Sequence, residues 1–296
     1  MKRSLLTAVL VLMIVPIACG RSQTQPDPFA AFTDAWRDNP IWHDGKAELA
    51  VYDATRTIYG QTRRYSARLY TNIEVADKQT KTKSATNRGR EVFKHHLRED
   101  IDTKNYTYHY STMCYVGRSD LKSLKIDMGS QEDCGATFKQ LVNHAGTCQW
   151  HQSSYFPNEG HSAGQYSPTK NFVFHDALSL VLRGYPFDAP RDLDLMVVPD
   201  QTSNRAGDVQ PRAGLVSYVG RETLQLPFGQ VDAHHLTFHY KAPAALQGTA
   251  GKSPIHHYWF AAESSAPWLH LMVQYEGPLG ISYKLAEHRR VAYWKQ

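Results

Sequence analysis

Arg63-Arg64-Tyr65-Ser66-Ala67-Arg68-Leu69-Tyr70-Thr71-Asn72-Ile73-Glu74-Val75 is the stretch whose reading decides the fold. Tyr65, Ala67, Leu69, Thr71, Ile73 and Val75 fall on one face. Arg64, Ser66, Arg68 and Glu74 fall on the other, with Tyr70 as an apolar exception. Alternation of period two is the signature of a strand with one face buried. The residues just before it, Lys46 to Tyr59, read as a second long strand, and Tyr59-Gly60-Gln61 supplies the turn between them.

Working outward, the same pattern recurs to the end of the chain. Phe93, His95, Leu97 and Ile101 share a spacing. Tyr106 to Val116 is dense in aromatics and threonine, and Leu121 to Met128 alternates imperfectly. Phe138 to Val142 and Thr147 to Phe156 pair across a turn at Gly146. Leu193 to Val198, Gly214 to Leu226, Val231 to Lys241, Ile255 to Ala262, Trp268 to Tyr275 and Ile281 to Trp294 complete the set. Residues 77 to 90, 157 to 170 and 242 to 253 read as loops, the first of them basic through Lys78, Lys81, Lys83, Arg88 and Arg90. Asp176 to Gly184 is the clearest helix signal, with Asp176 as N-cap, Arg183 near the C-terminal end and Gly184 as the stop. Phe32 to Trp36 can open a second short helix capped by Asp34. Without helical crossovers between strands, the sheet is expected to be mainly antiparallel. The expected fold is therefore mainly β: one large curved antiparallel sheet or open β-barrel with one or two short helices. No internal repeat or linker divides residues 40–296, which read as a single β-rich domain. A curved sheet with a concave apolar face invites a ligand or a partner.

The N-terminus reads differently. Lys2 and Arg3 precede an uncharged apolar run from Leu5 to Val15, followed by Pro16-Ile17-Ala18-Cys19-Gly20 and the polar Arg21 to Gln25. This is the layout of an export signal, and the run is shorter than the roughly 20 residues that span a bilayer. Residues 1–18 are expected to be the signal peptide and residues 19–39 a tether. Ile17-Ala18-Cys19-Gly20 resembles the lipobox of bacterial lipoproteins, in which the cysteine is lipidated and becomes the mature N-terminus. Pro16 stands where that pattern has leucine. Cleavage after Ala18-Cys19-Gly20, which would discard the cysteine, is the alternative. Lipidation of Cys19 would tether the chain to a membrane, each buried methylene contributing about 0.8 kcal/mol. The expected location is the cell envelope, at the outer membrane or in the periplasm.

The formal net charge is +5, and it falls to about +3 once Lys2 and Arg3 are removed, which gives no argument for nucleic acid. Beyond Cys19 there are three cysteines, Cys114, Cys134 and Cys148. An odd number in an exported chain allows one internal disulfide and one free thiol. Cys134 with Cys148 is the favoured pair because a hairpin turn, Asn143 to Gly146, lies between them; three buried thiols are the alternative. No cysteine pair has zinc-ribbon or Cys-x-x-Cys spacing.

Chemistry-bearing motifs are missing. There is no Gly-x-Ser-x-Gly elbow, no phosphate-binding loop, no dinucleotide fingerprint and no His-Glu-x-x-His. The histidine pairs His95-His96, His234-His235 and His256-His257 lie on strand stretches, where neighbours face apart and cannot chelate together. Cys134, within Gly129 to Gly135, has no local base, and Glu132 and Asp133 are adjacent and so diverge. Neither a cofactor nor a metal, nor any catalytic residue, is assigned.

Trp42 to Glu48, Phe93 to Tyr108, Ser130 to Gly135, Ser154-Tyr155-Phe156 and Arg290 to Trp294 together resemble an uncharacterised family of exported bacterial proteins, often lipoproteins, some of which carry the label septum formation inhibitor Maf. The resemblance spans most of residues 40–296 and implies no activity. Asp133 departs from it, standing where the family has an aromatic residue. True Maf proteins are cytoplasmic nucleotide pyrophosphatases with a Ser- and Arg-rich N-terminal motif; this chain lacks that motif and has an export signal in its place. At the level of fold, the expected sheet is similar to the half-barrels of periplasmic lipoprotein and lipid carriers, and a shared fold does not carry function. The leading expectation is a non-enzymatic, lipid-anchored envelope protein that binds an apolar ligand or an envelope partner on its curved sheet. An envelope hydrolase acting on glycan or lipid, and a purely structural envelope component, are the alternatives.

Overall fold

The computed structural model describes residues 27–168, 170–242 and 254–294. The expected signal peptide, Cys19 and most of the 242–253 loop lie outside the described residues. Among the described residues, fifteen strands form one sheet. From β1 (Ala47–Ile58) the chain meanders through β2 (Gln61–Ala76), β3 (Arg90–Asp102), β4 (Thr107–Gly117), β5 (Ser123–Glu132), β6 (Gly135–His144) and β7 (Thr147–Ser154) to β8 (His161–Tyr166) at one edge. It then crosses to the other edge at β9 (Phe172–Phe174). From there it returns through β10 (Leu193–Val198), β11 (Arg212–Leu226), β12 (Gly229–Tyr240), β13 (His256–Ala261), β14 (Met272–Glu276) and β15 (Ser282–Val291), which closes against β1. Every pairing is antiparallel except β9 with β10. That exception follows from the crossing, because β9 and β10 are joined by a helical segment and not by a hairpin.

Local sequence fixes the hairpins. Tyr59-Gly60 joins Ile58 to its partner Gln61, and Ala145-Gly146 joins His144 to Thr147. All four turn residues have positive φ. A two-residue turn with both central residues left-handed matches the right-handed twist of the flanking strands, and glycine at the second position relieves the strain. Register shifts at Val51/Tyr52, Tyr115/Val116, Tyr218/Gly220 and Trp259/Phe260 interrupt the ladders. Such bulges bend strands and increase their twist.

The helical segment 175–184 sits inside the curve. It comprises α1 (Leu178–Val181) between two 3-10 turns, His175–Ala177 and Leu182–Gly184. Its side chains reach strands from both halves of the sheet: His95 of β3 is 2.8 Å from Ser179, Glu48 of β1 pairs with Arg183, and Tyr258 of β13 meets His175. The β9 end also touches β5, where Ser123 Oγ accepts from the Phe174 amide at 3.0 Å. The sheet is therefore wrapped around its own crossover. Leu178, Leu180, Val181 and Leu182 are fully buried against it.

Three sequence expectations need correction. The tether does not extend to residue 39: Phe32 and Trp36 belong to the core, and the Thr33 amide donates to the Gly184 carbonyl. Trp36 stacks on Phe93 with ring centroids 5.1 Å apart, and Trp42 meets the same ring edge-on. A polar flanking sequence concealed two large anchors. Residues 157–170 are not wholly loop, since β8 forms there and pairs with β7 through Gly164 opposite Trp150. Finally, Cys134 and Cys148 do not pair. All three described cysteines are free. Cys134 precedes Gly135 at one end of β6, whereas Cys148 lies opposite Asn143 near the other end. Nine residues of strand separate those levels, about 30 Å, against the roughly 7 Å that a disulfide tolerates between Cα atoms. The turn at Gly146 brings Cys148 next to the C-terminal end of β6, away from Cys134.

Candidate functional site

A cavity of about 80 Å³, partly open to solvent, lies between the concave face and the helical segment. Its sheet side is a row of tyrosines. Tyr283 on β15, Tyr275 on β14 and Tyr258 on β13 are direct cross-strand partners, with ring centroids 5.6 and 4.9 Å apart. Tyr52 of β1 joins them at 5.9 Å from Tyr283. Directly opposed residues on one face of an antiparallel sheet stack in this way because their Cβ atoms lie about 5 Å apart. Leu69, Leu97, Met272 and Ile281 complete the apolar lining.

Each tyrosine hydroxyl has a partner within the protein. Tyr52 donates to the Met272 carbonyl at 2.8 Å, and Tyr283 donates to Glu99 at 2.8 Å. Tyr275 lies 2.9 Å from His256 Nδ1, and Tyr258 lies 3.3 Å from His175 Nε2. Glu99 has no exposed surface; it also accepts from Tyr65 at 2.5 Å and pairs with Arg56 at 3.2 Å. Burial and the adjacent Glu99 raise the Tyr65 and Tyr283 hydroxyls well above the usual range. The hydroxyls along this wall are therefore already engaged within the protein.

The opposite wall carries carboxylates. Asp176 of the helical segment and Asp200, just after β10, face each other. Asp176 Oδ1 accepts from Thr202 Oγ1 at 2.8 Å and its Oδ2 accepts from the Gln201 amide at 3.1 Å. Asp200 Oδ1 accepts from the Thr202 amide at 2.8 Å. Burial, then the Asp200 charge, pushes the Asp176 carboxyl well above its ordinary value. Burial also opposes ionisation of Asp200, but His175 and the hydrogen bond from Asp176 more than offset it and hold that carboxyl low. The two carboxyls are therefore pushed in opposite directions, Asp176 up and Asp200 down. Asp200 is hemmed in by protein and still reached by water, since it is an exposed residue at the cavity wall.

Three histidines gather here from distant stretches. His95 has both ring nitrogens engaged, 2.8 Å from Thr71 and 2.8 Å from Ser179. Burial depresses His95 and His256 to about 3 and lowers His175, so all three rings are neutral at pH 7. Among the described residues no group of three or more His, Cys, Asp or Glu side chains is arranged to hold a metal ion.

The sequence motifs fare unevenly. Asp176 lies at the start of the helical segment as expected, but its carboxylate makes no cap; it anchors the 200–202 loop. Arg183 does not face solvent. It is buried, with Nη1 2.6 Å and Nη2 3.1 Å from the two oxygens of Glu48, Nε on the Leu269 carbonyl, and its guanidinium over Trp36 and Trp42. Glu132 binds Asn204 at 2.9 Å, apart from the cavity lining, and Cys134 is exposed at the β5–β6 hairpin. Asp200 and the tyrosine row escaped sequence reading. The only signal was tyrosine recurring in strands whose pairing the sequence does not specify. The chain matches no family model, no curated protein and no solved structure.

Proposed function

We propose that this is an exported, lipid-anchored protein of the bacterial cell envelope, at the outer membrane or in the periplasm. It is non-enzymatic and holds a small ligand with a largely apolar body inside its curved sheet. The export-signal layout and Cys19 support the location. The observation that carries the ligand reading is the make-up of the cavity between the tyrosine row and the helical segment, where Tyr52, Tyr258, Tyr275 and Tyr283 meet Leu69, Leu97, Met272 and Ile281. Its lining is apolar with a few converging polar groups, the usual composition of such sites. Native mass spectrometry of the protein extracted gently from membranes tests this reading. A co-purifying amphiphile, lost when Leu97→Trp fills the cavity, is the expected outcome. Protein that emerges empty and fails to take up any apolar probe would sink it. An envelope hydrolase acting on glycan or lipid is a second reading, favoured by the Asp176–Asp200 pair, because two carboxyls with proton affinities pushed apart can act as acid and base. Turnover of ester or glycoside substrates that disappears in Asp176→Asn would support it.

A further inference from the structure

We infer that His235 and His257 form a two-histidine site for a divalent transition-metal ion that prefers square-planar coordination, copper(II) above all, on the convex face of the sheet. The inference is independent of the cavity and its ligand.

Leu236 on β12 and Tyr258 on β13 are cross-strand partners on the concave side, where Tyr258 lines the cavity. Neighbours along a strand face apart, so His235 and His257 point outward. His235 lies opposite Trp259 and His257 lies opposite Thr237, which makes the two histidines diagonal neighbours on the outer face. Their rings meet: His235 Nε2 is 3.0 Å from His257 Nδ1. One member of each of two histidine doublets thus joins the other across strands, a pairing that no single stretch of sequence contains.

The surroundings hold these rings as metal ligands are held. His235 stacks on the Trp259 indole with centroids 4.3 Å apart and planes within 16°, and His257 stacks at 5.8 Å from the same ring system. Glu222 Oε1 accepts from Trp259 Nε1 at 2.6 Å and lies 3.3 Å from His235 Nδ1. A carboxylate at the far nitrogen keeps the proton on Nδ1 and leaves the Nε2 lone pair for a metal, as in the outer shell of ligating histidines generally. His257 can carry its one proton on Nε2, so that both facing nitrogens offer lone pairs. Gly220 stands opposite His235, with open space where a Cβ would lie. Both histidines are partly exposed, so water completes the shell and the ion exchanges with solvent.

The separation selects the ion. At metal–nitrogen distances of about 2.0–2.1 Å, nitrogens 3.0 Å apart subtend about 95°, close to the cis angle of a square-planar ion. Tetrahedral zinc needs a separation of about 3.3 Å. Copper(II) also stands highest in the intrinsic affinity order of the divalent ions.

Copper(II) titration of the full chain carrying Cys19→Ser and Cys134→Ser, the latter removing the exposed thiol, tests the inference. One equivalent should bind, quench tryptophan fluorescence through Trp259, and give the axial electron paramagnetic resonance spectrum of a square-planar ion with two nitrogen ligands. Zinc(II) should bind at least tenfold more weakly. His235→Gln and His257→Gln should each weaken copper at least tenfold, with circular dichroism of the metal-free variants certifying the fold. Glu222→Gln, which still accepts from Trp259, should weaken it about tenfold by loosening the His235 ring. His239→Gln, on the same face but about 13 Å along β12 from His235, should leave it within twofold. Copper affinity within twofold of the parent in His257→Gln, or an equal loss in His239→Gln, overturns the inference, because the ion would then sit on scattered surface histidines. Zinc binding as tight as copper overturns the square-planar assignment.

Discussion

Arg183→Met is the most informative single change for stability. It removes the partner of Glu48, whose side chain is 3 % exposed, and leaves that carboxylate with only His288, 3.5 Å away. Removing one member of a buried pair costs about 3–5 kcal/mol, because the remaining charge is desolvated without compensation. An independent route gives a similar figure. Burial works to raise the Glu48 carboxyl, but Arg183 and His288 more than offset it and bring the value from 4.5 to about 2. A change of that size corresponds to about 3 kcal/mol in favour of the folded state at neutral pH. The sign follows from the depressed value. The contribution is fully present above pH 4.5 and is lost as pH falls towards 2. At pH 3 about 1 kcal/mol of it remains. Urea unfolding of wild type and Arg183→Met at pH 7 and pH 3 should therefore give a destabilisation about 2 kcal/mol larger at pH 7. Glu48→Gln/Arg183→Met should recover part of the loss, because no buried charge is left. A pH-independent loss, or one below about 1 kcal/mol at pH 7, would refute this account of how the crossover is pinned to β1.

Other outcomes are equally specific. Trp36→Ala should destabilise the domain by about 3–5 kcal/mol, as expected for a buried tryptophan, measured by the same unfolding assay; a dispensable tether would show no change. Gly214→Ala should cost about 1–3 kcal/mol, because a Cβ there would lie 2.4 Å from the fully buried Phe238 ring, and its thermal midpoint should fall accordingly. In a Cys19→Ser background, a maleimide should label Cys134 rapidly in the native protein and reach Cys114 and Cys148 only after denaturation; fast labelling of all three would contradict the packing. Cys19→Ser itself should move the protein from the membrane fraction to the soluble fraction on cell lysis, and retention in the membrane would count against lipid anchoring.

Much of the fold was legible locally. The alternation in β2 follows from a strand that buries one face, so Ala67, Leu69 and Thr71 could be placed inside before any partner was known. The Tyr59-Gly60 and Ala145-Gly146 turns were legible because left-handed backbone is a local requirement. Local reading failed where a side chain has two uses that look alike in sequence. An aspartate opening a helix is usually its cap, yet Asp176 reaches the loop after β10. An arginine ending a helix usually meets solvent, yet Arg183 lies against Glu48, 135 residues earlier. Cys134 and Cys148 flank a hairpin, and proximity along the chain concealed their distance along the strand.

By itself, then, the sequence determined the β character, the antiparallel order of neighbouring strands, the central turns and the position of the short helix. Each of these depends on backbone geometry and on periodicity within a few residues. Tertiary structure alone decided that the sheet wraps its own crossover. It also decided that Tyr52, Tyr258, Tyr275 and Tyr283 form one wall and that Asp176 and Asp200 line the same cavity with their carboxyls pushed in opposite directions. Those features depend on register between strands far apart in sequence and on desolvation, and neither is encoded in any one stretch of the chain.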